Sequence, residues 1–202
     1  MDKSMVPSKL KEIKQSFRQM MDGSIAQSMR DKGLNYHLNW GATLPRLQEM
    51  AKEIGPDYDL AIALWKENVR ECKILATLLM PADQILPEVV DIWMEQIPSQ
   101  EIAEQAAFNL WQHLPFAPEK AYQWMASDKE YDQLCGFHVL TRLFMNHQEP
   151  NERGINEYLD QMVAALQGPF PSVRKAAMQS VLRFAELGQF FEQVLSCIAV
   201  PE

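Results

Sequence analysis

The stretch Leu60–Met80 reads LAIALWKENVRECKILATLLM and indicates two helical segments with a break near Lys66–Asn68. The first segment, Leu60–Trp65, is apolar almost all round, which is typical of a buried helix. The second has apolar residues three or four positions apart between Val69 and Leu79, which is the stripe of an amphipathic helix. Pairs of short helices, one of them buried, are the units of helical-repeat proteins. We therefore interpret this stretch as one repeat of several.

The other side of the second helix carries two cations, Arg70 and Lys73, three positions apart. Such a pair faces a phosphate in some proteins and only solvent in others, and the spacing does not distinguish the two. Both interpretations stay open at this point.

Prolines and glycines divide the rest of the chain into similar segments. Pro81, Pro98 and Pro115 follow one another at a constant spacing, and each ends one helical pattern and begins the next. Further helical patterns lie near residues 10–21, 25–29, 44–54, 82–97, 99–114, 118–126, 128–145, 151–166, 171–187 and 189–200. No stretch alternates strictly between apolar and polar residues, so no strand is expected.

These patterns predict an all-α fold, a curved array of antiparallel helix pairs of the HEAT or armadillo kind, because the pairs recur every ~35–45 residues. We expect one domain over residues 1–202, with N-terminal helices in 1–33 and a terminal helix in 189–202. An irregular helical bundle is the alternative.

The net charge of -8 argues against a protein that binds nucleic acid through a generally basic surface. Only the contacting face must be positive, however, and residues 1–60 carry nine Lys and Arg against eight Asp and Glu. From Ile74 to Glu119 there are seven acidic residues and no Lys or Arg, so that region cannot clamp phosphates and would suit a basic partner.

The cysteines are three in number and widely separated, which favours reduced thiols. No apolar run reaches the length of a membrane span, and the first residues lack the apolar core of a signal peptide. We expect a cytoplasmic protein that does not associate with membranes. His37, His113, His138 and His147 have no partner at metal-binding spacing, so no metal site is expected.

The segments NWGATLPRLQEMAKEI and LAIALWKENVRECKILATLLM resemble the AlkD-type DNA alkylation repair family. The likeness runs from about Asn39 to Leu187, and it includes the later segments AYQWMASDKEYD and VRKAAMQSVLRFAELG. The matching residues are Gly41, Leu47, Ala51, Lys52, Leu60, Ala61, Leu64, Trp65, Arg70, Glu71, Leu75, Ala76, Trp93 and Trp124.

The resemblance implies HEAT-like repeats with a concave groove that holds duplex DNA. Enzymes of this family release cationic alkylated purines without moving the lesion into a pocket. Aromatic rings contact the cationic lesion, and a carboxylate stabilises the positive charge that builds on the sugar. The resemblance implies no cofactor and no metal, because the leaving base is already cationic.

The family's catalytic segment, Trp-Asp-x-x-Asp, corresponds to residues 100–104 of this chain. Its aromatic position is Gln100, and its catalytic carboxylate position is Glu104, which is one methylene longer. The second aromatic position falls on Gln179 or Ser180. If the chain is an enzyme, Glu104 is its carboxylate, but these substitutions argue against the family's glycosylase chemistry. Acidic residues in the first turns of a helix also simply oppose its dipole.

Two functions follow as hypotheses. In the first, the protein binds duplex DNA, with Tyr36 and Trp40 as aromatic contacts and cationic side chains on the phosphates. The predicted phosphate contacts are Arg70, Lys73, Arg174, Lys175 and Arg183. In the second, the protein is a non-catalytic helical-repeat scaffold that binds a basic protein or peptide.

Overall fold

The computed structural model describes residues 5–34 and 36–197, and within them the chain is built of α-helices. The helices are α1 (Val6–Gln19), α2 (Gly23–Asp31), α3 (Leu44–Ile54), α4 (Tyr58–Trp65), α5 (Arg70–Leu79), α6 (Pro87–Glu95), α7 (Gln100–Asn109), α8 (Ala117–Met125), α9 (Glu130–Met145), α10 (Glu152–Gln167), α11 (Pro171–Ala185) and α12 (Gln189–Ser196). The predicted all-α class is confirmed. None of these helices combines the length and apolar character that a membrane crossing requires.

The chain forms two compact units, an N-terminal unit up to Leu110 and a C-terminal unit from Trp111 onward. In the N-terminal unit, α5 packs against α3, α4 and α7, and most of its side chains are buried. The predicted pair of helices in Leu60–Met80 is confirmed as α4 and α5, with the break at residues 66–69. Stacked rings of Trp65 and Trp93, with centroids 4.2 Å apart, join α4 to α6.

In the C-terminal unit, α9 is the central helix and packs against α8 and α11. The approach of α8 to α9 depends on Gly136, because a Cβ atom there would lie 2.6 Å from the backbone nitrogen of Met125. Helices α10 and α12 pack on α11. Their shared core contains the rings of Phe144, Tyr158, Phe184 and Phe191.

Some helix boundaries differ from the predicted ones. The helix expected over 82–97 begins only at Pro87, because proline is favoured in the first turn of a helix, and residues 82–84 form a turn before it. The helix expected over 99–114 ends at Asn109 and is followed by a short 3-10 turn, in which the buried Trp111 packs on Trp124. The predicted last helix extends to Ser196, and residues 198–202 lie outside the described part of the chain.

Candidate functional site

Helix α7 carries Gln100 and Glu104, the residues that the sequence motif predicts at the family's catalytic positions. Ser99 caps this helix, since its hydroxyl accepts a hydrogen bond from the Ile102 amide at 3.3 Å. Gln100 is exposed, and Glu104 is half-buried one turn later. The Gln100 Nε2 atom donates a hydrogen bond of 2.8 Å to Glu104 Oε1. The carboxylate therefore has an amide beside it instead of an aromatic ring, and one of its oxygens already accepts a hydrogen bond.

Arg70 is buried in a group of polar side chains, the Arg70 cluster, which comprises Tyr36, Arg70, Glu71 and Glu101. Only 3% of the Arg70 residue is exposed. Its Nε and Nη2 atoms donate to the two carboxylate oxygens of Glu101 at 2.9 and 2.6 Å, the bidentate geometry that suits guanidinium and carboxylate. Its Nη1 atom donates to the carbonyl oxygen of Ala42 at 2.9 Å. The guanidinium thus joins α5 to α7 and leaves no surface for a phosphate.

Glu101 is held as a carboxylate by the same contacts. Burial alone would raise its pKa, but the hydrogen bonds and the positive charge of Arg70 outweigh burial and bring the pKa below its usual value. The Tyr36 hydroxyl adds a further hydrogen bond to Glu101 Oε2 and shares one of 2.8 Å with the Ser99 hydroxyl. Burial and the neighbouring Glu101 raise the pKa of Tyr36, so this phenol stays protonated. The predicted aromatic contact Tyr36 therefore anchors its loop to the start of α7.

Glu71 is fully buried and fixes the loop that bears Trp40. Its Oε1 atom accepts hydrogen bonds from the backbone amides of Trp40 at 3.1 Å and Ala42 at 3.3 Å. Gly41 between them has φ +76°, and a Cβ atom there would lie 2.1 Å from the carbonyl oxygen of Asp22. Trp40 is half-buried, and its ring centroid lies 5.9 Å from the Arg18 guanidinium carbon. Its ring is thus partly exposed beside a cation, a suitable setting for a ligand contact.

Lys73, the second predicted cation on α5, is also used inside the N-terminal unit. Its Nζ atom donates to the backbone carbonyl of Trp65 and lies 4.5 Å from the Trp65 ring centroid. Burial lowers the pKa of Lys73. The ammonium therefore stabilises the C-terminal end of α4, where a cation is favourable, and it does not project as a free charge.

The three predicted cations of α11 differ in their contacts. Arg174 donates to the carbonyl oxygen of Gly168 at 2.6 Å and so closes the end of α10. Arg183 forms an ion pair of 2.6 Å with Glu186 on the surface. Lys175 is exposed. Of the three, Lys175 is the best placed to meet a phosphate.

The two residues predicted for the second aromatic position, Gln179 and Ser180, differ in exposure. Ser180 is fully buried, and its hydroxyl shares a hydrogen bond of 2.8 Å with the Tyr158 hydroxyl. Gln179 is exposed. Of the two, only Gln179 could face a ligand, and it is not aromatic.

Sequence reasoning missed three features. Glu101 lies in the first turn of α7, where an acid opposes the helix dipole, but it is also the main partner of Arg70. Arg142 on α9 and Lys175 on α11 act on the buried imidazole of His138. Burial and these two cations lower the His138 pKa to about 4.

The large apolar side chains of Met178 and Leu182 are exposed on α11. Their exposure was not apparent from a pattern that mixes them with core positions. Across the described residues, no cluster of His, Cys, Asp and Glu side chains that could hold a metal ion is present.

Comparison with known proteins gives two matches. The family model described as "DNA alkylation repair enzyme" matches residues 13–199. A solved structure, described as belonging to a new family of proteins related to the HEAT-like repeat DNA glycosylases with affinity for branched DNA structures, superposes with a TM-score of 0.78. That match has 16% sequence identity and covers 87% of this chain and 75% of the other, so it establishes a shared HEAT-like repeat fold. No curated protein sequence matches the chain. The family suggested by the sequence motifs is confirmed, and the chain belongs to the DNA alkylation repair enzyme family.

Proposed function

We propose that this protein binds duplex DNA and does not excise alkylated purines by the family's aromatic–carboxylate route. Family membership across residues 13–199 supports a role on DNA, and so does the shared fold with a protein that has affinity for branched DNA. The observation that supports the absence of excision is the hydrogen bond of 2.8 Å between Gln100 and Glu104.

The chemistry explains why that hydrogen bond matters. A cationic alkylated base is attracted by the face of an aromatic ring, and an amide such as Gln100 offers no comparable face. Departure of the base leaves an oxocarbenium-like sugar, which a fixed carboxylate must meet at close range. The Glu104 carboxylate is one methylene longer than an aspartate, and one of its oxygens is engaged by Gln100. A displacement of ~1 Å at a catalytic group can cost about 100-fold in rate.

The cations that support DNA binding are the exposed ones. Lys175 is exposed and forms no ion pair with any of the described residues. The pair of Arg183 and Glu186 lies on the surface, where a phosphate can replace Glu186. Arg174, next to Lys175 in the sequence, is half-buried and bound to the Gly168 carbonyl oxygen, so it is left out of this proposal. Trp40 is the aromatic candidate in this proposal. Arg70 and Lys73 are excluded from it because their charged groups are already bound within the N-terminal unit.

Binding is tested by fluorescence polarisation of a labelled duplex. We expect saturable binding at low salt that weakens steeply as salt is added, because each neutralised phosphate releases counterions. A Lys175→Met variant should show a shallower salt dependence, by about one unit of slope. No binding of any DNA at low salt would contradict the proposed function.

Excision is tested with duplex DNA that contains 7-methylguanine. We expect the wild-type protein and Glu104→Gln to release the base no faster than buffer alone. The variant Gln100→Trp/Glu104→Asp restores the family's residue types, and it tests whether release of 7-methylguanine is gained. Release by the wild type that Glu104→Gln abolishes would show that Glu104 is catalytic and that the proposal is wrong on this point.

A second candidate function is a scaffold for a basic peptide. It is favoured by the acidic run from Ile74 to Glu119, in which none of the residues is Lys or Arg. Within the N-terminal unit, Asp83, Glu88 and Glu95 of this run are exposed. Polarisation with a labelled lysine-rich peptide separates the two candidates. Binding of the peptide together with no binding of DNA would favour the scaffold.

A further inference from the structure

The outward side of α6 carries exposed apolar side chains among acidic ones. Leu86, the residue that caps the start of this helix, is 59% exposed, and Ile92 on the helix is 52% exposed. Glu88 and Glu95 are exposed too, and they lie four positions before and three positions after Ile92, so all three share one side of the helix. We name Leu86, Glu88, Ile92 and Glu95 the α6 face. The opposite side of α6 is buried in the core.

The charge of the α6 face is negative and has no cation to balance it. From Ile74 to Leu110, where the N-terminal unit ends, the chain has six acidic residues and no Lys or Arg. Glu88 and Glu95 form no ion pair with any residue of the described chain. Their carboxylates therefore face solvent on both sides of an exposed isoleucine, and the face is complementary to a cationic partner.

Acidic and apolar side chains make different demands on that partner. The carboxylates repel the phosphates of nucleic acid, so the α6 face is not a DNA contact. Leu86 and Ile92 gain free energy when other apolar groups cover them. They lie six positions apart, which is ~9 Å along a helix axis, close to the ~10 Å between residues seven positions apart on a partner helix. An amphipathic helix with Lys or Arg beside its apolar stripe satisfies both groups.

We propose that the α6 face docks a basic amphipathic helix of a partner protein. Apolar side chains of the partner cover Leu86 and Ile92, and its Lys or Arg side chains pair with Glu88 and Glu95. This contact goes beyond DNA binding and does not require it. A scaffold for basic peptides needs only positive charge in its partner, whereas the α6 face also selects an apolar stripe. Together with DNA binding, such a contact makes the protein an adaptor between a partner protein and DNA.

The test measures fluorescence polarisation of two labelled peptides that have the same length and the same leucine and lysine content. In the first peptide the leucines form a helical stripe, and in the second the order is scrambled so that they do not. We expect the wild-type protein to bind the first peptide about tenfold more tightly, which is within reach of two half-exposed apolar side chains. Leu86→Ala/Ile92→Ala should remove this preference. Glu88→Gln/Glu95→Gln should weaken binding of both peptides, because both carry the same charge.

Two controls match these variants. Leu182→Ala is the control for the apolar side chains, because Leu182 is also 59% exposed but lies on α11 of the C-terminal unit. Glu49→Gln/Glu53→Gln is the control for charge, because both residues are exposed on α3 and the change in net charge is the same. Both controls should bind the two peptides like the wild type. Thermal unfolding of each variant checks that the fold is intact, as expected for changes at exposed positions.

Several outcomes would overturn docking at the α6 face and leave DNA binding standing. One is equal affinity of the wild type for the two peptides, or no affinity for either. Another is a preference that Leu86→Ala/Ile92→Ala retains, or a loss of affinity that Glu49→Gln/Glu53→Gln matches. A wild-type dimer in light scattering that Leu86→Ala/Ile92→Ala loses would mean that a second copy of the chain covers this face, with the same consequence. Binding of duplex DNA is measured separately, and Leu86→Ala/Ile92→Ala should leave it unchanged.

Discussion

The Arg70 cluster of the N-terminal unit and helix α11 of the C-terminal unit use cations in opposite ways. In the first, a guanidinium that is 3% exposed is held by two carboxylates and a carbonyl oxygen. In the second, an exposed Lys175 stands beside exposed apolar side chains. Both cations occupy similar positions near the start of an amphipathic helix. Whether a cation is buried or exposed therefore depends on the carboxylates that the fold brings to it from distant parts of the chain.

The largest expected effect comes from breaking the Arg70 cluster. Arg70→Met leaves the Glu71 and Glu101 carboxylates without their cation, and removing one partner of a buried ion pair typically costs about 3–5 kcal/mol. The measurement is the free energy of unfolding in urea. Arg70→Met/Glu101→Met should be destabilised less than the single variant, since one unpaired charge is gone. A loss below ~1 kcal/mol for the single variant would mean that the cluster is not a source of stability.

The sequence predicted the helix pair that carries Arg70 and Glu71, but it did not predict the contacts within the Arg70 cluster. The helix pair in Leu60–Met80 was found because apolar periodicity is a local property of the chain. The pairing of Arg70 with Glu101 spans 31 positions, and no local pattern reports it. In addition, Arg70 and Lys73 have the same spacing whether they face solvent, a phosphate or a carboxylate. Their burial follows from the packing of α5 against three other helices, and no local pattern in the sequence reports this packing.

At the α7 site the sequence carried more of the information. The residue types at Gln100 and Glu104 are read directly from the sequence, and the helix cap at Ser99 places both of them in the first turns of α7. The hydrogen bond between them is a local contact across one helical turn. On α11, by contrast, motif matching left Gln179 and Ser180 open. Only the buried hydrogen bond from Ser180 to Tyr158 settled which residue faces outward.

The next effect is a pH dependence that originates in the C-terminal unit. His138 has a pKa of about 4 in the folded protein because of burial, Arg142 and Lys175. In the unfolded chain its pKa is ~6.5, so between these values the unfolded state binds the extra proton and stability falls as the pH is lowered. The difference corresponds to roughly 3 kcal/mol. Urea unfolding of His138→Gln at pH 7 and near pH 4 should show a smaller loss on acidification than the wild type.

The Arg70 cluster should lose stability in a different pH range from that of His138. Because the pKa of Glu101 is lowered in the folded protein, its contribution is present above its unfolded value of 4.5 and is lost as the pH falls below it. His138→Gln should therefore leave the loss of stability below this pH in place. An unchanged loss between pH 6.5 and 4 in His138→Gln would contradict the role given to this imidazole.

A smaller effect is expected at Gly41, which lets the loop wrap around the Glu71 carboxylate. Gly41→Ala places a Cβ atom against the Asp22 carbonyl and forces a side chain into a left-handed conformation, for an expected loss of about 2–3 kcal/mol. Gly33→Ala is the matched control: its φ is +86°, but nothing lies within 4 Å of the added atom. It should cost only the conformational part, about 1 kcal/mol. Equal losses in the two variants would show that the contact with Asp22 relaxes freely.

The smallest expected effects distinguish two lysines, Lys73 and Lys175. Lys73→Met removes a cation from the Trp65 ring and from the end of α4, and it should lower the free energy of unfolding by about 1 kcal/mol without changing affinity for DNA. Lys175→Met should do the reverse, with unchanged stability and about fivefold weaker binding. Urea unfolding and polarisation on the same two variants provide both readouts. If Lys73→Met weakened DNA binding as much as Lys175→Met, it would be wrong to treat Lys73 as a structural cation and only Lys175 as a DNA contact.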